Sequence, residues 1–124
     1  MKKSMEAVMT KQPHSIGDDI ELSLAEEQMK KFQIRHLPVL NRGKVVGILT
    51  DRDVKLAVKF GKGLTVGDVM TPDPYVVGPD ANVSEVFGRM AEGKFGSVIV
   101  AEKEKPVGIF TAVDGMRLLS EIYK

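Results

Sequence analysis

Two stretches of the chain carry residue types able to hold a ligand, and they are copies of one another. Gly47-Ile48-Leu49-Thr50-Asp51-Arg52-Asp53 returns as Gly108-Ile109-Phe110-Thr111-Ala112-Val113-Asp114, with Gly, Ile, Thr and Asp each recurring 61 positions later. A Thr-x-x-Asp that opens a helix has two chemical readings. In the first, the Thr hydroxyl caps the helix and the Asp carboxylate bonds back from N3, satisfying orphan N–H groups and suiting the helix dipole. In the second, the same atoms meet a nucleotide: the helix N-terminus and the hydroxyl donate to phosphate, and the carboxylate accepts from the two hydroxyls of a ribose. The residues between Thr and Asp differ completely between the copies, which is suggestive of the second reading without excluding the first. The shared glycine fits a close approach either by a ligand or by a crossing strand.

The elements that must position these residues are duplicated as well. At the same offset Val8-Met9-Thr10 falls on Val69-Met70-Thr71, and Pro13, Gly17, Asp19 and Met29 fall on Pro74, Gly78, Asp80 and Met90. Between 8–53 and 69–114 there are 15 identities in 46 ungapped pairs, the mark of a tandem repeat. Each copy opens with a segment that its proline keeps extended, residues 8–16 in the first. Leu22, Ala25, Met29 and Phe32 then form one helical stripe, matched by Val83, Val86, Phe87 and Met90, and Asn82 with Glu85 has capping-box spacing. A β-hairpin comes next: Leu37–Leu40 and Val45–Leu49 flank the turn residues 41–44, and Val98–Val100 and Val107–Phe110 flank the charged turn 102–105. A last helix starts at each Thr-x-x-Asp. Val54, Ala57 and Val58 give it an apolar face before Gly61, and Val113, Met116, Leu118, Leu119 and Ile122 do so at the C-terminus. The expectation is an α+β fold of two β-α-β-β-α repeats, 1–61 and 68–124, joined by a linker at 62–67 that is short enough to hold them close.

Composition narrows the function classes. A chain of 124 residues suits one compact module, since a half of about 60 is marginal alone. With 18 basic and 17 acidic residues the net charge is +1, and no basic stripe argues for nucleic acid. No apolar run has the length of a membrane span and no apolar signal core follows Met1-Lys2-Lys3, so the expected location is cytoplasmic. Cysteine is absent, which removes thiolate metal sites and thiol nucleophiles. His14 and His36 lack a third ligand at metal spacing, so no metal is expected. Met29, Met90 and Met116 lie on helix stripes and read as core filler. There is no G-x-x-x-x-G-K-[ST], H-E-x-x-H or G-x-S-x-G, and an enzyme is not expected.

The ordered set Ile34-Arg35-His36-Leu37-Pro38-Val39, a short turn, Val46 to Asp53 and then Val69-Met70-Thr71-Pro72 resembles a pair of CBS (cystathionine-β-synthase) domains over about residues 6 to 124. The resemblance implies two repeats packed sheet to sheet with pseudo-twofold symmetry, and two clefts that bind adenine nucleotides or related adenosyl ligands. It makes Asp53 and Asp114 ribose ligands and Thr50 and Thr111 hydroxyl donors. Carried over residue by residue, one site comprises Thr10, Ile16, Ile34, Arg35, His36, Leu37 and Pro38 with Thr111 and Asp114. The other comprises Thr71, Val77, Phe95, Gly96, Ser97 and Val98 with Thr50, Arg52 and Asp53. The second repeat departs from the pattern, with Gly96-Ser97-Val98-Ile99 where the first has Arg35-His36-Leu37-Pro38.

A carboxylate repels a polyphosphate, so phosphates need cations, and Arg35, His36 and Arg52 are the candidates. The leading expectation is a regulatory module sensing AMP, ADP, ATP or a related ligand, with no required cofactor, acting on its own assembly or on an unidentified protein target. The rival is a ligand-free dimerisation or interaction module whose Thr-x-x-Asp pairs only cap helices. A homodimer is expected under both, because the family stacks modules through their helices.

Overall fold

The structure is a computed structural model and describes residues 3–124. Its secondary structure repeats with the sequence. A one-turn helix α1 (Met5–Val8) leads to strands β1 (Thr10–Lys11) and β2 (Ile16–Gly17), helix α2 (Leu22–Phe32), strands β3 (His36–Asn41) and β4 (Lys44–Thr50), and helix α3 (Asp51–Ala57) with a 3₁₀ turn at Val58–Phe60. The second copy runs α4 (Val66–Val69), β5 (Thr71–Pro72), β6 (Val76–Val77), α5 (Val83–Gly93), β7 (Ser97–Glu102), β8 (Lys105–Thr111) and α6 (Ala112–Ile122). The fold is α+β, as expected.

The extended opening of each repeat is more divided than its sequence suggests. Val8 and Val69 end one-turn helices, and each leads into two short strands separated by a residue in the left-handed region, Gln12 (φ 51°) or Asp73 (φ 52°). The two strands then join different sheets. One sheet has the order β2-β3-β4-β5 and the other β1-β8-β7-β6. The chain accordingly forms two compact units, one of Pro13–Pro74 and one of the residues up to Gln12 together with Tyr75–Lys124. The one-turn helices take part in the same exchange. Met5 and Glu6 donate their N–H groups to the carbonyls of Ala81 and Pro79 (2.9 and 3.0 Å), and Val66 and Gly67 donate to Ile20 and Asp18 (2.8 Å each). Each opening helix thus caps the loop that precedes the long helix of the other copy.

In the 13–74 unit, β2 runs parallel to β3, a pairing that needs a crossover, and α2 supplies it. Leu22, Ala25 and Met29 of α2 are buried with Leu37, Val39, Leu49, Val54, Ala57 and Val66. Phe32, the expected end of the stripe, is instead exposed and stacks on His14 with centroids 4.0 Å apart. In the other unit Val86 and Met90 of α5 bury with Met5, Val98, Val100 and Phe110. Asn82 caps α5 by accepting from the Glu85 N–H at 3.1 Å. Both hairpins are tighter than the sequence suggests, with two-residue turns at Arg42-Gly43 and Lys103-Glu104, all at positive φ. Both carry a register shift at the same repeat position, Val39/Leu40 and Val100/Ala101.

Both long helices end in the left-handed region, at Gln33 (φ 53°) and Lys94 (φ 56°), and are closed by the N–H of the next residue reaching back to Met29 or Met90. Only glycine adopts that conformation without steric cost. Lys94→Gly should therefore raise stability by about 1 kcal/mol, read as a higher urea midpoint at unchanged slope.

α6 differs from expectation. Leu118 packs partly buried against the core of its unit as expected, but no residue of the helix is fully buried, and Val113, Met116, Leu119 and Ile122 are exposed. In the shorter α3 the stripe is split, with Val54 and Ala57 buried while Leu56, Val58 and Phe60 are exposed.

Candidate functional site

Each Thr-x-x-Asp sits where a hairpin strand ends and a helix begins. Thr50 is the last residue of β4 and Thr111 the last of β8, both extended at φ near −110°, and the helix starts at the next residue. The Thr50 hydroxyl oxygen accepts from the Asp53 N–H at 3.1 Å, and Asp53 Oδ2 accepts from the Thr50 N–H at 3.2 Å. The Thr111–Asp114 pair repeats this at 3.2 and 2.9 Å. Both are complete capping boxes and both are partly buried.

A third box shows that the motif alone is a cap. Thr65 and Asp68 open α4 with the same reciprocal bonds, 3.3 and 2.9 Å, on the exposed surface. The Thr65 N–H, and after it the Thr65 hydroxyl, hold the Asp68 pKa below its ordinary value, against a smaller opposing effect of desolvation. Its sequence signal was plain, a further Thr-x-x-Asp, but it straddles the end of the stretch read as linker.

Capping leaves part of each group available. A hydroxyl that accepts one N–H keeps its own hydrogen to donate, and a carboxylate bonded through Oδ2 keeps Oδ1. In Asp114, Oδ1 faces Arg117, whose Nη1 lies 3.5 Å away with the guanidinium largely exposed. An ion pair so exposed is worth less than about 1 kcal/mol, so Arg117 is free to turn from the carboxylate to an anion beside it. Sequence reading missed Arg117; its spacing of three from Asp114 on a helix was the available signal.

The remaining candidates fall into two groups by unit. Thr10 (β1), Val77 (β6), Phe95 and Gly96 (before β7), Ser97 and Val98 (β7), Thr111 and Asp114 lie in one unit. Ile16 (β2), Ile34 and Arg35 (before β3), His36, Leu37 and Pro38 (β3), Thr50, Arg52, Asp53 and Thr71 (β5) lie in the other. Within each unit the loop before the hairpin is tied to the Thr-x-x-Asp of its own repeat. His36 stands opposite Thr50 in register and Ser97 opposite Thr111, while Asp51 donates to the Arg35 carbonyl (3.0 Å) and Ala112 to that of Gly96 (2.9 Å). The exchanged strands bring Thr10 beside Ile109 and Thr71 beside Ile48.

Several of these side chains are not available to a ligand. Ile16, Leu37 and Val98 are buried in the cores of their units and Pro38 is fully buried, so what these residues can offer is backbone. Arg35 and Arg52 are exposed. Phe95 stacks on Tyr75 at 5.1 Å, with the Arg89 guanidinium 5.8 Å from the Tyr75 ring.

The shared glycine is explained by packing. A Cβ on Gly47 would stand 2.5 Å from Met70 Sδ and 2.9 Å from the Thr71 carbonyl oxygen; one on Gly108 would overlap the side chain of Met9. Each glycine makes room for the methionine that leads into the exchanged edge strand paired beside it.

A pocket of about 440 Å³ opens in the 13–74 unit between the end of α2 and the start of α3. It shares only Ile34 and Arg35 with the sites expected from sequence. Among the described residues no group of three or more His, Cys, Asp or Glu side chains is placed to hold a metal, and no helix is long and apolar enough to cross a membrane.

The family model for the CBS domain matches the chain twice, at residues 5–59 and 66–121. Inosine-5′-monophosphate dehydrogenase of Korarchaeum cryptofilum is 33% identical over 113 residues, which make up 90% of this chain and 23% of that enzyme. L-aspartate semialdehyde sulfurtransferase of Methanocaldococcus jannaschii is 30% identical over the same share of the chain and 22% of its own length. The chain thus spans less than a quarter of either enzyme. Among solved structures, the CBS domain pair of protein MJ0100 in complex with 5′-methylthioadenosine and S-adenosyl-L-methionine superposes with a TM-score of 0.90 at 27% identity, covering 98% of this chain and 99% of that one. CBSX2 in complex with AMP gives 0.82 at 27%, covering 98% of both.

Proposed function

The chain belongs to the CBS domain family, and from that premise we propose that it is a regulatory module that binds an adenine nucleotide or a related adenosyl ligand. The observation that carries the reading is the residual bonding capacity of the two partly buried capping boxes. Asp53 and Asp114 each retain Oδ1 to accept from ribose hydroxyls, and Thr50 and Thr111 each retain a hydroxyl hydrogen for a phosphate oxygen. The relatives support the ligand class, since the MJ0100 pair was solved with two adenosyl compounds and CBSX2 with AMP. The loops at Ile34–Pro38 and Phe95–Val98 hold the base through backbone groups, their larger apolar side chains being committed to the cores. Arg52, joined by Arg117, offsets phosphate charge, and His36 adds to it in its protonated form.

The module acts by binding rather than by catalysis, and the ligand works through different affinity for two states of the chain or of a partner. The test is a thermal-shift panel of AMP, ADP, ATP, S-adenosylmethionine and NADH. A ligand at about 100 times its dissociation constant adds about 2.7 kcal/mol and raises the melting temperature. No shift with any of the five would refute the reading.

The exposed stripe of α6 supports a homodimer. Met116, Leu119 and Ile122 are 68, 47 and 65% exposed at successive spacings of three, a face that a second copy would cover. Met116→Glu should then shift the chain from dimer to monomer in sedimentation at micromolar concentration while leaving its circular dichroism unchanged. A wild-type chain that sediments as a monomer would remove the dimer from the proposal.

A further inference from the structure

The pocket between α2 and α3 has a make-up that the capping boxes do not account for. Its floor is apolar: Met29 and Val54 are buried and Ile34 is half-buried. Its rim is charged. Glu26 and Lys30 pair along α2 at 4.0 Å, and Asp51 and Lys55 pair along α3 at 3.7 Å, so four of the five rim charges balance. Arg35 is the fifth, and among the described residues its guanidinium makes no ion pair. Its backbone is pinned by the Asp51 N–H at 3.0 Å, which fixes the root of the side chain at the rim.

The second repeat serves as an internal comparison, because the same fold position exists there without this chemistry. At the 61-residue offset Glu26 becomes Phe87, Lys30 becomes Ala91 and Arg35 becomes Gly96. Asp51 becomes Ala112 and Lys55 becomes Met116. Every rim charge is gone. Phe87 stacks on Phe110 with centroids 4.9 Å apart and packs against the core of that unit. Helix packing alone is served without charges in one copy, whereas the other keeps space, an apolar floor and one unbalanced cation.

We propose that this pocket binds a small amphiphile with a single anionic head, of the class of a medium-chain carboxylate. The head pairs with the planar fork of Arg35, whose geometry matches a carboxylate, and the chain lies on Met29, Ile34 and Val54. The volume of about 440 Å³ falls within the usual range of small-molecule sites. A cationic head would instead meet the like charge of the Arg35 guanidinium at the rim.

The test compares octanoate, octanol and octylamine, which share a chain and differ in head, by titrating each into the full protein and tracking the methyl resonances of Met29, Ile34 and Val54. Octanoate should move these resonances saturably and bind at least tenfold more tightly than octylamine. Arg35→Leu should bring the two within about twofold of each other. Glu26→Phe, which copies Phe87 at a partly exposed position, should abolish the octanoate response while the remaining methyl resonances stay dispersed. Asp114→Ala should leave octanoate binding intact, so this proposal and the nucleotide reading fail independently. Equal titration by all three compounds, octanoate shifts confined to other methyls, or binding unchanged in both Arg35→Leu and Glu26→Phe would each overturn it.

Discussion

Gly47→Ala should destabilise the protein by about 2–3 kcal/mol, and Gly108→Ala by less, though the two glycines are copies of one another. Both are buried in the long hairpin strand where the exchanged edge strand pairs with it, so an added methyl has no empty space to enter. The obstacles differ in kind. At Gly47 the new Cβ meets the Met70 sulfur and also the Thr71 carbonyl oxygen at 2.9 Å, a backbone atom held in the β4–β5 pairing. At Gly108 the three nearest atoms all belong to the Met9 side chain, which is flexible. Urea unfolding of the single and double variants separates the cases. Met9→Ala should recover part of the loss in Gly108→Ala, because it removes two of the three obstacles. Met70→Ala should recover little in Gly47→Ala, because the carbonyl remains. Full recovery in the Gly47 pair would show that the strand moves freely and that the Thr71 carbonyl does not explain the glycine.

Asp114→Ala is expected to weaken binding of the adenine nucleotide by about 1.5–3 kcal/mol, a loss of roughly ten- to 150-fold in affinity, through removal of charge-assisted hydrogen bonds to the ribose. The same substitution removes half of a capping box and should cost about 1 kcal/mol of stability. Affinity and stability must therefore be measured separately. Asp68→Ala is the natural control, since it breaks a box of the same geometry on the exposed surface of α4. It should reduce stability and leave nucleotide affinity unchanged. If both variants lose only stability and neither loses affinity, Thr111 and Asp114 are a helix cap and nothing more, and the rival reading of a ligand-free interaction module stands.

These two expectations rest on different kinds of information. The boxes at Thr50 and Thr111 were legible from sequence because a cap is local: the atoms that bond are three residues apart, and helix geometry brings them together whatever the rest of the chain does; the box at Thr65 was passed over because the stretch around it read as linker. Helices α2 and α5 and the two hairpins were legible for the same reason, their apolar periodicity and turn residues acting over a few positions. The reason for Gly47 was not, because its obstacle is Met70 and Thr71, more than twenty residues away. Arg117 is an intermediate case, local in spacing but unmarked by the repeat, since its counterpart is Leu56.

By itself, then, the sequence determined that the chain is a duplicated β-α-β-β-α unit, that the Thr-x-x-Asp at Thr50 and at Thr111 each begin a helix, and which family it resembles. All of these depend on residue type and short-range spacing. Tertiary structure alone decided that each extended opening divides into two strands of different sheets, because sheet partners are chosen by non-local hydrogen bonding that the alternation within one strand does not encode. It also decided that Met116, Leu119 and Ile122 on α6 are uncovered while Leu22, Ala25 and Met29 on α2 are buried, and that a pocket remains between α2 and α3. An amphipathic pattern states that a face is apolar; only the packed chain determines what, if anything, meets it.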